Sequence, residues 1–269
     1  MLIWMCALHC EAKPIIDTYR LKKSTRHPGF DMYLNDQIAC VVSGIGAIPM
    51  AGATAWAAAL LEGKSTLGWI NLGVAGHRDL PVGTPVIANK IQSPHNPAAI
   101  YPVHLIRHGF TSLPVISLSG ENTDYHACAG YDMEAYAFMQ TARHFSSLEF
   151  CQSIKVISDN RTSAPHRDKT RISQLIAGNI TPIKQYASQM QQLLETESSQ
   201  KLNDMDLTRF LSLAHFSHTQ QLQLRSHLLA LRSINHGLDD SFALVKSLHN
   251  SQKILSTLHR VLHQHSEQL

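Results

Sequence analysis

The stretch IACVVSGIGAIPMAGATAWAAALL, from Ile38 to Leu61, combines a strand pattern, a pair of glycines and a helix pattern. The apolar run Ile38–Ser43 predicts a buried strand, the glycines predict a sharp turn, and Pro49–Leu61 predicts a helix of small residues with a proline in its first turn. A strand that leads directly into a helix is the repeating unit of α/β proteins, so this stretch predicts an α/β fold.

The same alternation of apolar runs and helical patterns extends from residue 2 to about residue 194. It predicts a largely parallel sheet flanked by helices. Further strands are predicted at Leu2–Leu8, Leu67–Leu72, Thr84–Ile91, Leu113–Leu118 and Ile154–Ser158, and further helices at Met133–His144 and Thr181–Leu194. Residues 92–124 are rich in Pro, His, Asn and Ser, and apart from one strand we expect them to form loops.

The composition changes at residues 195–204, a polar segment without aromatic or β-branched aliphatic residues. We therefore predict an α/β domain over residues 1–194, a linker over residues 195–204 and an all-helical C-terminal extension over residues 205–269. Helical spacing of apolar residues predicts about four short helices in the extension, with N-caps at Thr219, at Asp239 or Asp240 and at Ser251, and with a stop at Gly237. Because the extension is small, we expect it to pack on the first domain or on a second chain.

The composition excludes several classes of protein. Of the 269 residues, 44% are hydrophobic and 16% are charged, as in a globular protein with a large core. The longest apolar stretch, Ile48–Leu61, is shorter than the roughly 20 residues of a membrane span, and a net charge of +3 without basic runs does not indicate nucleic-acid binding. The N-terminus lacks a secretory pattern and the five cysteines are scattered. We therefore expect a cytoplasmic protein with reduced thiols and with neither a membrane nor a nucleic acid as partner.

Histidine is abundant, with 17 residues. His215 with His218, and His259 with His263, lie one helical turn apart and could hold zinc, but no cysteine or acidic cluster completes a set of four ligands. Neutral histidines on exposed helix faces explain the pattern more simply, and we expect no metal site.

Small residues also end the next predicted strand, in WINLGVAG from Trp69 to Gly76, and a Pro-Val-Gly turn follows. Ligands of open α/β sheets bind beyond the carboxyl ends of strands, so two glycine-rich strand ends indicate a small-molecule site. Glu134 begins an apolar helix in YDMEAYAF, and Asp159 follows a strand in KVISDN. Taken alone, each acid is more simply explained as a helix-end or loop residue, and each glycine pair as a tight turn.

In this order, SGIG with its small-residue helix, NLGVAG, the Pro-Val-Gly turn, DMEAYAF and VISD resemble the purine nucleoside phosphorylase and 5′-methylthioadenosine/S-adenosylhomocysteine nucleosidase superfamily over residues 1–194. The resemblance implies a mixed central sheet flanked by helices, and cleavage of the N-glycosidic bond of purine nucleosides without a metal or an organic cofactor. It also implies a homo-oligomer, for which we favour a dimer, with a small-molecule purine nucleoside as substrate.

The resemblance assigns roles to three acids of this chain. Glu11 would activate the water, Asp159 would protonate or hydrogen-bond the purine at N7, and Glu134 would hold the ribose hydroxyls. The other expected substrate-binding residues are Met133, which would pack against the sugar and base, Ser158, which would support Asp159, and Gly44, Gly46, Val74, Ala75 and Gly76.

Carboxylates suit this chemistry. Breaking the C1′–N9 bond builds positive charge on the ribosyl ring, which nearby carboxylates stabilise. A neutral purine leaves more readily than an anion, so Asp159 has to hold a proton, which burial behind the strand Ile154–Ser158 favours. Glu11 must instead be ionised to take a proton from water.

The chain departs from the superfamily pattern at several positions. Val74 stands where the nucleosidases commonly have a serine, and Lys155 stands where an arginine is frequent. The segment between residues 83 and 132 is shorter than expected, and only Tyr125, His126 and Tyr131 are candidates to replace the aromatic residues that sandwich the purine.

Hydrolysis and phosphorolysis differ in whether phosphate has a binding site. Phosphorylases of this superfamily have an arginine just before the glycine string, where this chain has Trp69–Asn71, and only His77 and Arg78 lie nearby. Because phosphate normally requires arginine and backbone N–H groups, water is the favoured acceptor. A phosphorylase is the first alternative. A non-catalytic nucleoside-binding or partner-binding protein, which Val74 and the helical extension favour, is the second.

Overall fold

The computed structural model describes residues 1–26, 28–61, 66–121, 124–164, 168–200, 204–234 and 236–266. The chain divides into two compact units, Met1–Leu194 and Glu195–Leu269. The strands are β1 (Leu2–Cys6), β2 (Lys22–Lys23), β3 (Asp31–Leu34), β4 (Ile38–Val42), β5 (Gly68–His77), β6 (Pro85–Ser93), β7 (Asn96–Ile100), β8 (Thr111–Ser117), β9 (Gly130–Asp132) and β10 (Cys151–Asp159). The helices that begin in the first unit are α1 (His9–Tyr19), α2 (Ala47–Leu61), α3 (Ala135–Ala142), α4 (Lys169–Gly178) and α5 (Ile180–Gln200), with a short 3₁₀ helix at Leu148–Phe150.

These strands form one sheet in the order β10-β6-β8-β9-β5-β1-β4-β3-β2, with β7 paired to β6. β1 is parallel to β4 and β5, and β5 is parallel to β10, whereas β10 is antiparallel to β6 and β5 is antiparallel to β9. The additional pairing of β10 with β5 closes β5, β10, β6, β8 and β9 into a ring. The predicted α/β class with a mixed sheet is therefore confirmed.

The two faces of β1 pack against different helices. Ile3 and Met5 belong to a hydrophobic cluster with α2 and α3, whereas Leu2, Trp4 and Cys6 belong to a second cluster with α1, α4 and α5. All five side chains are fully buried. An apolar residue at every position is what a strand covered on both faces requires, and this is why the pattern does not alternate.

Strand β5 runs beyond its predicted end at residue 72, and this extension positions the site. Along one edge, β10 pairs with β5 from Trp69 to Gly76. Along the other edge, β1 pairs with Gly68–Asn71, and β9 pairs with Gly76 and His77. Among the described strands, none pairs with residues 72–75 on this second edge. The backbone there is open to side chains from other parts of the chain.

Helix α1 was not predicted, because we extended the first strand to Leu8. The strand ends at residue 6 because the Glu11 side chain accepts the N–H groups of Ala7 and Leu8, which begins the helix. Pro14 lies inside this helix, where proline is normally unfavourable, and it weakened the helical pattern.

Helix α4 and strands β2, β3, β7 and β9 were also missed. Asp168 is the N-cap of α4, with its side chain accepting the N–H of Thr170 at 2.8 Å. Residues 96–100, which we expected to be loop, form an antiparallel hairpin with β6. The predicted helix from Met133 begins two residues later, at Ala135, and Glu134 is its N-cap.

The second unit contains α6 (Asp204–Leu211), α7 (His218–Ser233), α8 (Leu238–Val245) and α9 (Ser251–Ser266). Its own buried core includes Phe210, Leu224, Leu228, Val245 and Leu258. Residues 195–200, predicted as part of the linker, are instead the end of α5. They include no glycine or proline that would stop a helix, and residues 201–203 lie outside the described part.

The helix starts in the second unit differ from those predicted. Ser217, rather than Thr219, caps α7 and forms a capping box with Gln220, while Gly237 precedes α8 as its N-cap instead of ending a helix. Asn250 accepts the N–H groups at the start of α9, one residue before the predicted cap. Within the described residues, no helix has the length and apolar character needed to cross a membrane.

Candidate active site

Glu11 lies in the first turn of α1, with 4% of its surface exposed. It faces the opening in β5, that is, residues 72–75, which neither β1 nor β9 pairs with. Its Oε2 accepts the N–H groups of Ala7 at 3.0 Å and Leu8 at 2.9 Å, and its Oε1 accepts the N–H of Val74 at 3.1 Å. Val74 is free to donate because it lies in the part of β5 that β1 and β9 leave open. Gly73 is needed next to it, since a Cβ there would lie 2.8 Å from Oε1.

Glu134 is held from the turn between β4 and α2. Its Oε1 accepts the N–H of Gly46 at 2.7 Å. Burial raises the pKa of Glu134 to about 7, and Asp132 adds to the rise, while Lys155 and the Gly46 N–H oppose it. Glu134 therefore holds its proton more strongly than an exposed glutamate does.

Asp159 ends strand β10 and is 7% exposed. The Ser158 hydroxyl donates to its Oδ1 at 2.5 Å, and the Tyr125 phenol donates to its Oδ2. Gly76 makes this arrangement possible, because a Cβ at that position would lie 2.6 Å from Asp159 Oδ2 and 2.8 Å from the Tyr125 oxygen.

Lys155 is a buried cation that connects the acids. Its Nζ lies 2.8 Å from Asp132 Oδ2, and the two side chains are 2% and 0% exposed. The Ser117 hydroxyl donates to the other oxygen of Asp132 at 2.5 Å. Burial acts to lower the pKa of Lys155, but the charges of Asp132, Glu134 and Glu11 outweigh burial, and the pKa lies above its ordinary value. Lys155 is therefore protonated and offsets part of the buried negative charge.

Burial also raises the pKa of Glu11, although Lys155 and the three N–H groups oppose the rise. A carboxylate of raised pKa is a stronger base, which suits a group that has to take a proton. The sequence pattern identifies Lys155 only as a replacement for a frequent arginine and does not predict this role. Its signal in the sequence is a single charge inside the otherwise uncharged strand β10 up to Ser158.

A cavity of about 530 Å³ lies among these groups. The structure brings most of the predicted site residues to its wall, namely Glu11, Val74, Ala75, Gly76, Met133, Glu134, Ser158 and Asp159. Three acids that are far apart in the sequence thus share one cavity.

Gly44 and Gly46 were predicted to bind substrate, but they do not line the cavity. Their φ angles of 90° and 100° explain why glycine is needed, since side chains strongly disfavour this region. The turn that they form presents Ile45 to the cavity and the Gly46 N–H to Glu134. The two glycines therefore act indirectly, by shaping the turn that places these groups.

The three residues considered for sandwiching the purine, Tyr125, His126 and Tyr131, lie in different places. Tyr131 lines the cavity, whereas Tyr125 lies outside its lining, with its hydroxyl on Asp159. His126 is exposed and pairs with Asp124 at 2.9 Å. Lys169 and Ile172 of α4 also line the cavity. They were missed because α4 itself was missed, although Asp168 is a typical N-cap residue.

The charge of the cavity is negative. Its described lining includes the acids Glu11, Glu121, Asp132, Glu134 and Asp159, and only Lys169 as a basic residue. Such a wall stabilises positive charge in a bound molecule and repels an anion.

The residues considered as a phosphate site in the sequence do not line the cavity and make other contacts. The ring of His77 accepts the N–H groups of Asp79 and Leu80, and Arg78 pairs with Asp79 at 2.6 Å. The Asn71 amide donates to the carbonyl of Met5 inside the sheet. Within the described ranges, no three His, Cys, Asp or Glu side chains are placed to hold a metal ion.

Gly76→Ala should disturb the contact between Asp159 and Tyr125 and destabilise the protein. The added Cβ would lie 2.6 Å from Asp159 Oδ2, so Asp159 and Tyr125 would have to move. We expect urea unfolding to show a loss of about 1–3 kcal/mol, as for other overpacked positions. Gly109→Ala is the matched control, since its Cβ would meet nothing within 4 Å. Equal stability of the two variants would contradict the close approach at Gly76.

No protein-family model and no curated protein sequence matches the chain. Solved structures do match. A 5′-methylthioadenosine/S-adenosylhomocysteine nucleosidase from Colwellia psychrerythraea, in complex with adenine, is 19% identical with a TM-score of 0.53, and the match covers 72% of this chain and 95% of that chain. The apo 5′-methylthioadenosine nucleosidase of Arabidopsis thaliana is 14% identical with a TM-score of 0.57, covering 70% and 95%.

The corresponding nucleosidase of Neisseria meningitidis, in complex with methylthio-immucillin-A, is 17% identical with a TM-score of 0.53, covering 68% of this chain and 97% of that chain. This chain therefore contains the fold of these nucleosidases. The resemblance inferred from the sequence is confirmed at the level of the fold.

Proposed function

We propose that this protein hydrolyses the N-glycosidic bond of a purine nucleoside related to 5′-methylthioadenosine, S-adenosylhomocysteine or 5′-deoxyadenosine. The observation that carries the proposal is the placement of Glu11, Glu134 and Asp159 around one cavity of about 530 Å³. The similarity in fold to nucleosidases that were solved with adenine or with methylthio-immucillin-A supports a purine ligand.

In the proposed reaction, each acid has a separate task. Glu134 in its ionised form accepts hydrogen bonds from the ribose hydroxyls, and Met133 packs against the sugar and base. Asp159 gives its proton to N7 while the electron pair of the C1′–N9 bond moves to the purine. Glu11 takes a proton from the water that adds to C1′. The negative wall stabilises the positive charge that builds on the ribosyl ring.

The same charge favours water over phosphate as the acceptor. Phosphate carries nearly two negative charges, and it would enter a cavity with several carboxylates and, in its described lining, Lys169 as the one basic side chain. The buried Lys155 is already paired with Asp132. Hydrolysis is therefore the preferred reaction.

The direct test is incubation with a panel of purine nucleosides, with and without phosphate, followed by chromatography of the products. We expect free purine and free sugar at a rate that does not depend on phosphate. Release that requires phosphate and yields a sugar 1-phosphate would identify a phosphorylase. Nucleoside binding without any release of base would identify a non-catalytic binding protein.

The pH dependence should report on Glu134. Because only the ionised form accepts from both ribose hydroxyls, kcat/KM should rise as the pH increases through about 7, the raised pKa of this group. Glu134→Gln should weaken ribose binding, slow the reaction and remove this rise. A profile of Glu134→Gln that keeps the rise near pH 7 would assign it to another group.

A further inference from the structure

We infer that Tyr125 is a positioning residue for Asp159, one that fixes the carboxyl group and stabilises the carboxylate left after proton transfer to the purine. This inference rests on the proposed function of the same site. The Tyr125 hydroxyl donates to Asp159 Oδ2, opposite the Ser158 hydroxyl on Oδ1. Each carboxyl oxygen therefore has one hydroxyl donor, and the remaining lone-pair sites are available toward the cavity.

The position of Tyr125 separates it from the substrate-binding groups. Its side chain is only 5% exposed and does not line the cavity, whereas Asp159 does. The phenol reaches the carboxyl group across Gly76, at a point where any other residue would place a Cβ 2.7 Å from the ring. Tyr125 therefore contacts the acid without standing in the space that a nucleoside would occupy.

The surroundings of Tyr125 also hold it in place. Its ring packs against that of Tyr131, with the centroids 5.5 Å apart. The Tyr131 oxygen in turn accepts the N–H of Ala127 at 2.8 Å. This hydrogen bond links the backbone just after Tyr125 to the ring that Tyr125 packs against. Burial and the contact with Asp159 raise the pKa of the Tyr125 phenol above its ordinary range, so it remains a hydrogen-bond donor at neutral pH.

The chemical consequence follows from the balance of the proton-transfer step. The O–H bond of Asp159 breaks, a bond from N7 to hydrogen forms, and the negative charge that remains lies on the carboxylate. A phenol that donates to this carboxylate stabilises it and so favours the transfer of the proton to N7. It also keeps the carboxyl group from rotating away from the cavity.

Tyr125→Phe tests the inference, because it removes only the hydroxyl. We expect kcat to fall about 10- to 100-fold, the effect of losing one hydrogen bond to a charged group, with KM changed less than about threefold. A defect in kcat with an almost unchanged KM is the signature of a group that acts on the proton-transfer step and does not bind the nucleoside. In the Asp159→Asn background, Tyr125→Phe should have little further effect on the residual rate.

Tyr136→Phe is the matched control. The Tyr136 hydroxyl donates to the carbonyl of Ala98 at 3.0 Å, and the residue does not line the cavity. This variant should lose some stability but should keep the kcat of the unmodified protein. A purely structural role of Tyr125 predicts that both variants behave alike, and an unchanged kcat in Tyr125→Phe would overturn the inference.

If Tyr125→Phe does not fold, the full chain made with 3-fluorotyrosine provides a second test. Its phenols are more acidic and are stronger donors, so kcat should rise, and an unchanged kcat overturns the inference. An unmodified protein that releases no base from any nucleoside overturns the proposed function and this inference together. An active unmodified protein with an equally active Tyr125→Phe overturns only the inference.

Discussion

Asp159→Asn should lower kcat for purine release by about 10²- to 10⁴-fold, the usual contribution of a general acid. Asparagine has the shape of aspartate, and its amide oxygen can still accept from one of the two hydroxyls of Ser158 and Tyr125, but it has no acidic proton to give to N7. The purine would then have to leave as an anion. Binding of the nucleoside, measured by calorimetry, should remain within about tenfold, because the defect arises in the transition state.

The control for this variant is Asp79→Asn. Asp79 is exposed, pairs with Arg78 and does not line the cavity. It undergoes the same replacement of a carboxyl group by an amide, and it should leave the rate as it is. Unchanged turnover in Asp159→Asn would remove Asp159 from the mechanism and would leave the leaving group to be protonated by some other residue.

Lys155→Met should destabilise the protein by about 3–5 kcal/mol, the usual cost of removing one partner of a buried ion pair. The ammonium lies 2.8 Å from Asp132, and it also lowers the pKa values of Glu134 and Glu11. Without it, these acids face one another in a buried site. Urea unfolding followed by circular dichroism measures the loss.

The loss should depend on pH in a defined direction. Glu134 already has a pKa raised to about 7 in the folded protein, so folding favours its protonated form, and the stability from this group falls as the pH rises from about 4.5 through 7. Removal of Lys155 raises that pKa further. The variant should therefore lose more stability at pH 8 than at pH 5. The reverse order would contradict the proposed role of Lys155.

Lys13→Met is the matched control, because Lys13 pairs with Asp17 at 2.8 Å on the surface, where both side chains are more than half exposed. Surface pairs of this kind contribute about 0.3–0.5 kcal/mol on a helix. A similar loss in both variants would mean that the buried pair has no special importance for stability.

Local patterns in the sequence predict six strands of the first unit, because each of these is a short apolar run bounded by turn residues. The short strands β2, β3, β7 and β9 have no such run and were not predicted. The local patterns also placed Asp159 at the end of a strand and Glu134 at the start of a helix. Helix α1 escaped prediction because its first turn depends on the Glu11 side chain and because Pro14 interrupts the helical pattern. A strand pattern followed by a helix without a polar N-cap gives no local sign of where one ends and the other begins.

The contacts that complete the site could not be predicted, since each joins positions far apart in the chain. The Gly46 N–H meets Glu134 across 88 residues, the Val74 N–H meets Glu11 across 63, and the Tyr125 phenol meets Asp159 across 34. The contact of Val74 with Glu11 depends on where β1 and β9 separate from β5. That separation follows from the register of the whole sheet, which no local pattern specifies.

The opening in β5 has a consequence for how the protein can evolve. Glu11 is held by the N–H groups of Ala7, Leu8 and Val74, which every residue type except proline supplies. Val74 donates only its backbone N–H to Glu11, and its side chain takes no part in this hydrogen bond. Substitutions at these positions can therefore change the side chains during evolution while the N–H groups that hold Glu11 remain. Only a proline at one of these three positions would remove a hydrogen bond to Glu11, because proline has no backbone N–H.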